Sequence, residues 1–245
     1  MQWRVVPICK YQRLDVRPED LLNHGHFRKC ETYRSGGGYD QFPAIYERRF
    51  GVRPHTQFVV QLFGCPLDCS YCYCTRSGVW GKWREYTTER LVDAFKHSGQ
   101  EVFHLMGGAP ALYLDSWHEI LSALPEGAVF HSDFLLVERP YRTRTLERLA
   151  SRGGCLFAAS IKGTTREDFE RNARRPLDEA LLWSNLERLV SARVPFYLTF
   201  TNPDMAHYEE FRASLASRLG EGVLEDSFVI PLRQYRALPY VDLAP

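Results

Sequence analysis

The sequence lacks an excess of charge of either sign. It has 31 lysine and arginine residues against 30 aspartate and glutamate residues, for a formal net charge of +1. A nearly neutral chain argues against binding that depends on bulk electrostatic attraction to nucleic acid or to an acidic membrane surface. We therefore do not expect nucleic acid as a partner.

Long apolar runs are missing as well. Stretches such as 128–130 and 134–137 are far too short to cross a bilayer, which takes about 20 apolar residues. Residues 1–7 contain no apolar segment of the length that a signal peptide needs. We expect a cytoplasmic protein without a membrane partner. Its seven cysteines are then interpreted as thiols or metal ligands rather than as disulfides.

The composition is that of a folded globular protein. Hydrophobic residues make up 44% of the chain and charged residues 25%, which excludes intrinsic disorder as the main state. The 245 residues show no internal repeat and suffice for one large domain or two small ones. The glycine-rich segment 35–39 predicts a loop. We expect residues 1–50 to form an N-terminal extension packed on a core domain of residues 51–245.

Strand-like and helix-like segments alternate along the second part of the chain. The predicted strands are 58–63, 101–106, 128–134, 155–161, 195–201 and a strand within 223–232. The predicted helices are 87–97, with Thr88 as its candidate N-cap, 114–123, 142–151, 165–172, 177–192 and 205–218. This alternation predicts an α/β fold with a parallel sheet. Ligands bind at the carboxyl ends of the strands in such folds, so residues that follow a strand are the candidate site.

Three cysteines, Cys65, Cys69 and Cys72, follow the first predicted strand at spacings of four and three residues. Three thiolates so close together in one short loop can surround one metal centre. Zinc is the alternative, but zinc sites usually combine two close pairs of ligands, and the sequence has no second Cys-x2-Cys or His-x3-His pair. Three ligands without a fourth suit a cubane iron–sulfur cluster with one open iron.

The Cys-x3-Cys-x2-Cys spacing, with Tyr71 directly before the last cysteine, resembles the signature of the radical S-adenosylmethionine (SAM) superfamily. The resemblance covers roughly residues 58–235 and implies a partial (β/α)6 TIM-like barrel. It implies an enzyme whose three cysteines hold three irons of a [4Fe–4S] cluster, with SAM on the fourth iron. Reductive cleavage of SAM then yields a 5′-deoxyadenosyl radical that abstracts hydrogen from a substrate. The resemblance also implies an electron donor such as flavodoxin or ferredoxin.

The residues after the second predicted strand, Gly107, Gly108 and Ala109, resemble the Gly-Gly-Glu-Pro element of that superfamily. Glycines there let the backbone approach the methionine end of SAM. Ala109 stands where the family has a glutamate that accepts a hydrogen bond from the SAM amine. The resemblance therefore implies another acceptor, and Asp133, which follows Ser132 at the end of the third predicted strand, is the candidate.

Other strand ends complete the set of SAM contacts that the resemblance implies. Ser160 and Lys162 resemble the Asp-x-Lys element of glycyl-radical activating enzymes, in which the lysine contacts the SAM carboxylate. Lysine suits such a partner because its ammonium is a compact charge. Leu232 ends the sixth predicted strand, whose end packs on adenine in related enzymes. Tyr71, between two of the cysteines, is included for its position.

The resemblance leaves the substrate and the reaction open. The layout is closest to glycyl-radical activating enzymes, but Ala109 and Ser160 depart from their pattern. We favour a small-molecule or nucleotide-like natural-product precursor, with oxidoreductase or lyase/isomerase chemistry. The alternatives are glycyl-radical activation, modification of a peptide or tRNA, and a zinc-binding interaction module without catalysis. We assign no metal to the other four cysteines, Cys9, Cys30, Cys74 and Cys155.

Overall fold

The computed structural model describes residues 1–5, 26–29, 41–52, 56–72 and 83–230 of the chain. Its strands are β1 Gln2–Val5, β2 His26–Lys29, β3 Thr56–Gln61, β4 Arg84–Thr87, β5 Val102–Met106, β6 Val129–Phe134, β7 Cys155–Ile161, β8 Phe196–Thr201 and β9 Phe228–Ile230. Its α-helices are α1 Gln41–Phe50, α2 Thr88–Ser98, α3 Trp117–Ala123, α4 Thr143–Ala150, α5 Arg166–Ala173, α6 Glu179–Ser191 and α7 Met205–Leu219. None of these helices combines the length and the apolarity needed to cross a membrane.

Seven of the described strands form one sheet in the order β2, β3, β5, β6, β7, β8 and β9. The last six pair in parallel, and β2 pairs antiparallel with β3 at the edge. Strand β9 lies within the predicted segment 223–232, and a 3-10 helix, Glu221–Leu224, precedes it. Six parallel strands alternating with helices confirm the predicted α/β fold, a partial TIM-like barrel. Their carboxyl ends share one edge of the sheet, called here the carboxyl edge.

The two faces of this sheet pack against different partners. The outer face is covered by α2, α3, α4, α6 and α7, and its buried rings include Phe130 and Phe157, which lie 5.8 and 5.3 Å from the ring of Trp117. On the inner face, Tyr46 of α1 packs with residues of β5 to β9. Because side chains alternate along a strand, every second residue of each strand points to the inner face.

The start of helix α2 differs from its prediction by one residue. The N-cap is Thr87, whose hydroxyl accepts a hydrogen bond from the Arg90 amide at 3.3 Å. The hydroxyl of Thr88 instead accepts a hydrogen bond from the buried indole of Trp3 at 2.9 Å. The prediction of Thr88 as N-cap was wrong because its tertiary partner lies 85 residues away in sequence.

The N-terminal region contributes directly to the core. Strand β1 pairs antiparallel with β4, β2 extends the main sheet, and α1, which the sequence did not predict, covers the inner face. Trp3 of β1 belongs to the main hydrophobic cluster. The predicted loop 35–39 lies outside the described residues. The proposed division at residue 50 therefore separates segments that pack on one another through β1, β2 and α1.

Candidate functional site

The three predicted cluster ligands lie in the loop that follows β3 at the carboxyl edge, residues 65–72, called here the cysteine loop. The side chains of Cys65, Cys69 and Cys72 are partly buried. The Cys72 amide donates to the Cys69 carbonyl at 3.0 Å, and the Leu67 amide donates to Sγ of Cys65 at 3.4 Å. Burial raises the pKa of Cys65, and Cys69 and Cys72, when ionised, raise it further.

The C-terminal end of helix α5 holds the cysteine loop in place. The backbone amides of Asp68 and Ser70 donate to the carbonyls of Ala173 and Asn172, at 3.0 and 3.1 Å. Carbonyls in the last turn of a helix receive no hydrogen bond from an amide of the same helix, so they can accept such bonds from the loop. The buried side-chain amide of Asn172 also donates to the Lys162 carbonyl at 2.7 Å. One helix end therefore connects the cysteine loop with the end of β7.

The Gly-Gly-Ala segment after β5 packs directly against the start of the cysteine loop. The Ala109 amide donates to the Gly64 carbonyl at 2.7 Å. Gly108 has a φ of +57°, and a Cβ at this position would lie 2.5 Å from the carbonyl oxygens of Gly64 and Leu62. Only glycine fits, because any side chain would collide with backbone. Ala109 is completely buried in an apolar cluster that includes Leu67 of the cysteine loop.

Lys162 brings a positive charge to the cysteine loop. Its Nζ lies 5.8 Å from the ring centre of Tyr71, within the range of a cation–π contact. Burial raises the pKa of the Cys69 thiol, while the charge of Lys162 and the hydroxyl of Tyr71 lower it. Burial likewise raises the pKa of the Tyr71 hydroxyl well above its ordinary value. Three of the predicted site positions, Cys69, Tyr71 and Lys162, thus lie together.

The donor set of the cysteine loop fits a cluster better than a single ion. Burial raises the pKa of Cys65 to about 12, so a bound cation must displace the thiol proton. The loop offers three thiolates, whereas a structural zinc site uses four ligands. Three thiolates suit a cubane iron–sulfur cluster with one open iron.

Ser132 and Asp133 point to opposite faces of the sheet. The hydroxyl of Ser132 is completely buried and donates to the Leu105 carbonyl at 3.0 Å. It is engaged within the sheet and does not join the cysteine loop. The carboxylate of Asp133 is one-quarter exposed, at 25%, and its Oδ2 lies 3.5 Å from Nε2 of His104.

Two predicted site positions, Ser160 and Leu232, and the four cysteines without an assigned metal remain to be placed. Ser160 is buried on the inner face of β7, two residues before Lys162. Cys155 is buried in β7, and its thiol donates to the Leu149 carbonyl at 3.7 Å. Burial raises the pKa of Cys155 to about 12, as expected for a structural thiol. Outside the described residues lie Leu232, Cys9, Cys30 and Cys74.

A polar group on the inner face was not predicted from the sequence. His104 of β5 lies directly opposite His131 of β6, with ring centres 4.1 Å apart. Burial, with a further contribution from His104, lowers the pKa of His131 well below its ordinary value. Asp133 lies two residues beyond His131 on the same face. The signal was the His-x-Asp spacing on a strand, but the partner histidine is revealed only by the strand register.

Comparison with protein families identifies the segment that contains this site. The family model described as the Radical SAM superfamily matches residues 59–215, which is more than half of the chain. The matched segment begins within β3 and includes the cysteine loop, the Gly-Gly-Ala segment and Lys162. Among curated proteins, none matches the sequence.

Solved structures with a similar fold were found as well. SuiB of Streptococcus suis, bound to SAM, is 13% identical with a TM-score of 0.50, over 73% of this chain and 42% of SuiB. SuiB bound to its precursor peptide SuiA is 13% identical with a TM-score of 0.50, over 85% and 45%. The enzyme anSMEcpe, bound to SAM and a peptide, is 16% identical with a TM-score of 0.43, over 56% and 40%. The chain spans less than half the length of these structures.

Proposed function

The chain belongs to the radical SAM superfamily, and we propose that Cys65, Cys69 and Cys72 hold the [4Fe–4S] cluster with which it cleaves SAM. Membership implies an enzyme with this cluster and SAM as its cofactors. When bound, they supply a 5′-deoxyadenosyl radical that abstracts hydrogen from a substrate. The observation that carries the assignment is the group of three partly buried thiols in one loop at the carboxyl edge.

The surroundings of the cysteine loop support this role. Helix α5 fixes the loop through backbone hydrogen bonds from Asp68 and Ser70. Burial raises the pKa of Cys65 and Cys69, and the charge of Lys162 opposes this and favours the thiolates that iron requires. The apolar neighbours, with Ala109 completely buried, limit the access of water to the sulfurs.

We propose that the amino acid part of SAM lies between the Gly-Gly-Ala segment and Lys162. Gly107 and Gly108 provide backbone without side chains beside the cysteine loop, and Lys162 provides the charge for a carboxylate. Tyr71 lies beside Lys162 and would contact the same part of SAM. Ala109 has no acceptor for the SAM amine, so backbone carbonyls or the predicted Asp133 must take that role.

We propose a small polar molecule as the substrate, bound at the inner face. Polar side chains are buried on this face near the carboxyl edge, among them Gln61, Thr199 and Thr201. Buried polar groups need hydrogen-bonding partners, which a polar substrate would supply. Activation of a glycyl-radical enzyme and modification of a peptide or tRNA remain the alternatives. A flavodoxin or ferredoxin is the proposed electron donor.

Anaerobic reconstitution with iron and sulfide tests the proposed function. The parent protein should bind about four irons per chain and, once reduced, release 5′-deoxyadenosine from SAM even without substrate. Cys69→Ala should lose the cluster and this product, because one of the three iron ligands is removed. Cys155→Ala is the matched control, since its thiol is buried in β7 and contacts the Leu149 carbonyl.

Two outcomes would contradict the assignment. One is a normal iron content in the Cys69→Ala protein. The other is a reduced, fully loaded parent protein that forms no 5′-deoxyadenosine. Zinc in place of iron and sulfide in the parent, without brown colour, would support the zinc-binding module instead.

A further inference from the structure

Two imidazoles and a carboxylate converge on the inner face of the sheet. His104 and His131 are register partners on the parallel strands β5 and β6. Asp133 lies two residues after His131, so both side chains leave β6 on the same side. One potential ligand atom from each of His104, His131 and Asp133 lies within 4.8 Å of the other two. This is the separation at which one ion can contact three side chains.

Neighbouring side chains orient the two imidazoles. Nδ1 of His104 lies 2.8 Å from the side-chain oxygen of Gln57, which can only accept, so Nδ1 carries the proton. The Gln57 amide nitrogen lies 3.5 Å from the Tyr46 hydroxyl, which can accept from it. Nε2 of His131 lies 3.1 Å from the Tyr197 hydroxyl. Such outer partners select the tautomer and the ring orientation of histidines that bind metals.

The free lone pair of His104 then faces Asp133. With the proton on Nδ1, Nε2 is an acceptor, and it is buried without a hydrogen bond among the described residues. The nearby Asp133 carboxylate, 3.5 Å away, is an acceptor too. Two acceptors that face each other inside a protein are unfavourable unless a cation or a proton lies between them. A cation that contacts His104 and Asp133 removes this cost.

We propose that His104, His131 and Asp133 form a second metal site, which binds a divalent transition metal such as Zn²⁺ through two imidazoles and one carboxylate. Nitrogen and oxygen ligands of this kind suit zinc and other first-row divalent ions. Three protein ligands leave a further coordination position open for water or a substrate group. Asp133, which is one-quarter exposed, lies at the carboxyl edge of the sheet. The proposal does not depend on the [4Fe–4S] cluster.

Zinc binding to the cluster-loaded protein tests this proposal. Weakly bound metal is first removed with a chelator, and the protein is equilibrated with Zn²⁺ alone. The zinc content per chain is then measured by inductively coupled plasma mass spectrometry. We expect about one zinc per chain. X-ray absorption at the zinc edge should show nitrogen and oxygen neighbours only, because the proposed ligands contain no sulfur. The iron of the cluster does not contribute at this edge.

Two substitutions locate the zinc. Asp133→Asn removes the anionic ligand and keeps the shape of the side chain. Loss of an outer partner costs roughly 10- to 100-fold in metal affinity, and loss of a direct ligand should lower the zinc affinity by at least as much. Gln57→Leu removes the outer partner of His104 and should weaken zinc within that range. The matched control is Asp93→Asn, which changes an exposed carboxylate 3.7 Å from His97 and should leave zinc binding unchanged.

Cluster iron and thermal stability, measured on the same samples, show whether each variant is folded. A parent protein without bound zinc, zinc with sulfur neighbours, or parent-like zinc affinity in folded Asp133→Asn would overturn the proposal. The two roles considered for Asp133 exclude each other, so SAM affinity is measured as well. If Asp133→Asn weakens SAM binding but not zinc binding, Asp133 belongs to the SAM site and the metal site is rejected.

Discussion

Two loops at the carboxyl edge are held in contrasting ways. The cysteine loop is fixed through its backbone, by the amides of Asp68 and Ser70 on the end of α5. The loop after β6, residues 135–141 and called here the β6 loop, is fixed through buried side chains, among them Glu138 and Asn185. A loop held by its backbone keeps its side chains available for a ligand, whereas the β6 loop uses its own for structure.

The β6 loop depends on a buried hydrogen-bond network. The side chain of Asn185 accepts from the Tyr141 amide at 2.9 Å and donates to the carbonyls of Leu136 and Arg139 at 2.9 and 2.8 Å. The Tyr141 hydroxyl accepts from the Leu136 amide at 3.0 Å and donates to Glu138 at 2.8 Å. Every bond joins the loop to itself or to α6, so the network has a structural role.

The two loops nevertheless meet. Leu135 of the β6 loop and Leu67 of the cysteine loop belong to the same apolar cluster, together with Ala109. The β6 loop therefore contacts the cysteine loop through apolar side chains, and α5 contacts it through backbone hydrogen bonds. Three substitutions, given in order of decreasing expected effect, test this division between a structural loop and a binding loop.

The largest effect is expected for Asn185→Ala. It leaves the buried Tyr141 amide and Leu136 carbonyl without their partner, each costing about 1–3 kcal/mol, and also removes the bond to the part-buried Arg139 carbonyl. The free energy of unfolding should therefore fall by about 2–6 kcal/mol. Thermal unfolding followed by circular dichroism measures the loss. The control on the same helix is Glu187→Ala, which breaks a surface ion pair with Arg218 worth at most about 1 kcal/mol. Equal losses in both variants would contradict the structural role.

The second prediction concerns the pH dependence of stability. Burial raises the pKa of Glu138 from 4.5 to about 7, although the hydroxyl of Tyr141 lowers it. The folded protein therefore keeps a proton that the unfolded chain releases near pH 4.5, and stability is lost as the pH rises from about 4.5 to about 7. At 1.36 kcal/mol for each unit of pKa, the loss approaches about 3 kcal/mol.

Glu138→Gln isolates this contribution. Glutamine stays neutral and keeps an oxygen that can accept from Tyr141 and from the Leu135 amide, so this part of the decline above pH 4.5 should disappear. Melting temperatures measured from pH 4 to pH 8 compare the parent with this variant and with Glu126→Gln, which changes an exposed acid. Parallel profiles for the parent and Glu138→Gln would show that Glu138 is not the group responsible.

The contrast between the loops also explains what the sequence could predict. The cysteine loop could be singled out as a candidate site because its three cysteines lie within eight residues of one another. The six parallel strands were predictable from the alternation of strand-like and helix-like segments. The β6 loop was not, because Asn185 is 44 to 49 residues away from its partners. The pairing of His104 with His131 was also missed, since it follows from strand register and not from spacing.

The smallest effect is expected for Lys162→Met, which tests ligand binding beside the cysteine loop without disturbing the β6 loop. Lys162 is proposed to contact the SAM carboxylate, and a charge-assisted hydrogen bond is worth about 1.5–3 kcal/mol. Its loss should weaken SAM binding by roughly 10- to 150-fold. Methionine keeps the length and the apolar stem of the side chain, and the main-chain carbonyl that accepts from Asn172 is retained, so the melting temperature should change little.

Calorimetric titration of SAM into the anaerobic, cluster-loaded protein measures this affinity. The control is Lys96→Met, which removes an exposed lysine in the last turn of α2, far along the chain from the cysteine loop. Cluster iron must be equal in all samples, because a loss of iron would weaken SAM binding for another reason. If Lys162→Met binds SAM as the parent does, the carboxylate is held elsewhere, and Lys162 acts only on the thiols of Cys65 and Cys69. The cluster assignment would stand, because it rests on the cysteines alone.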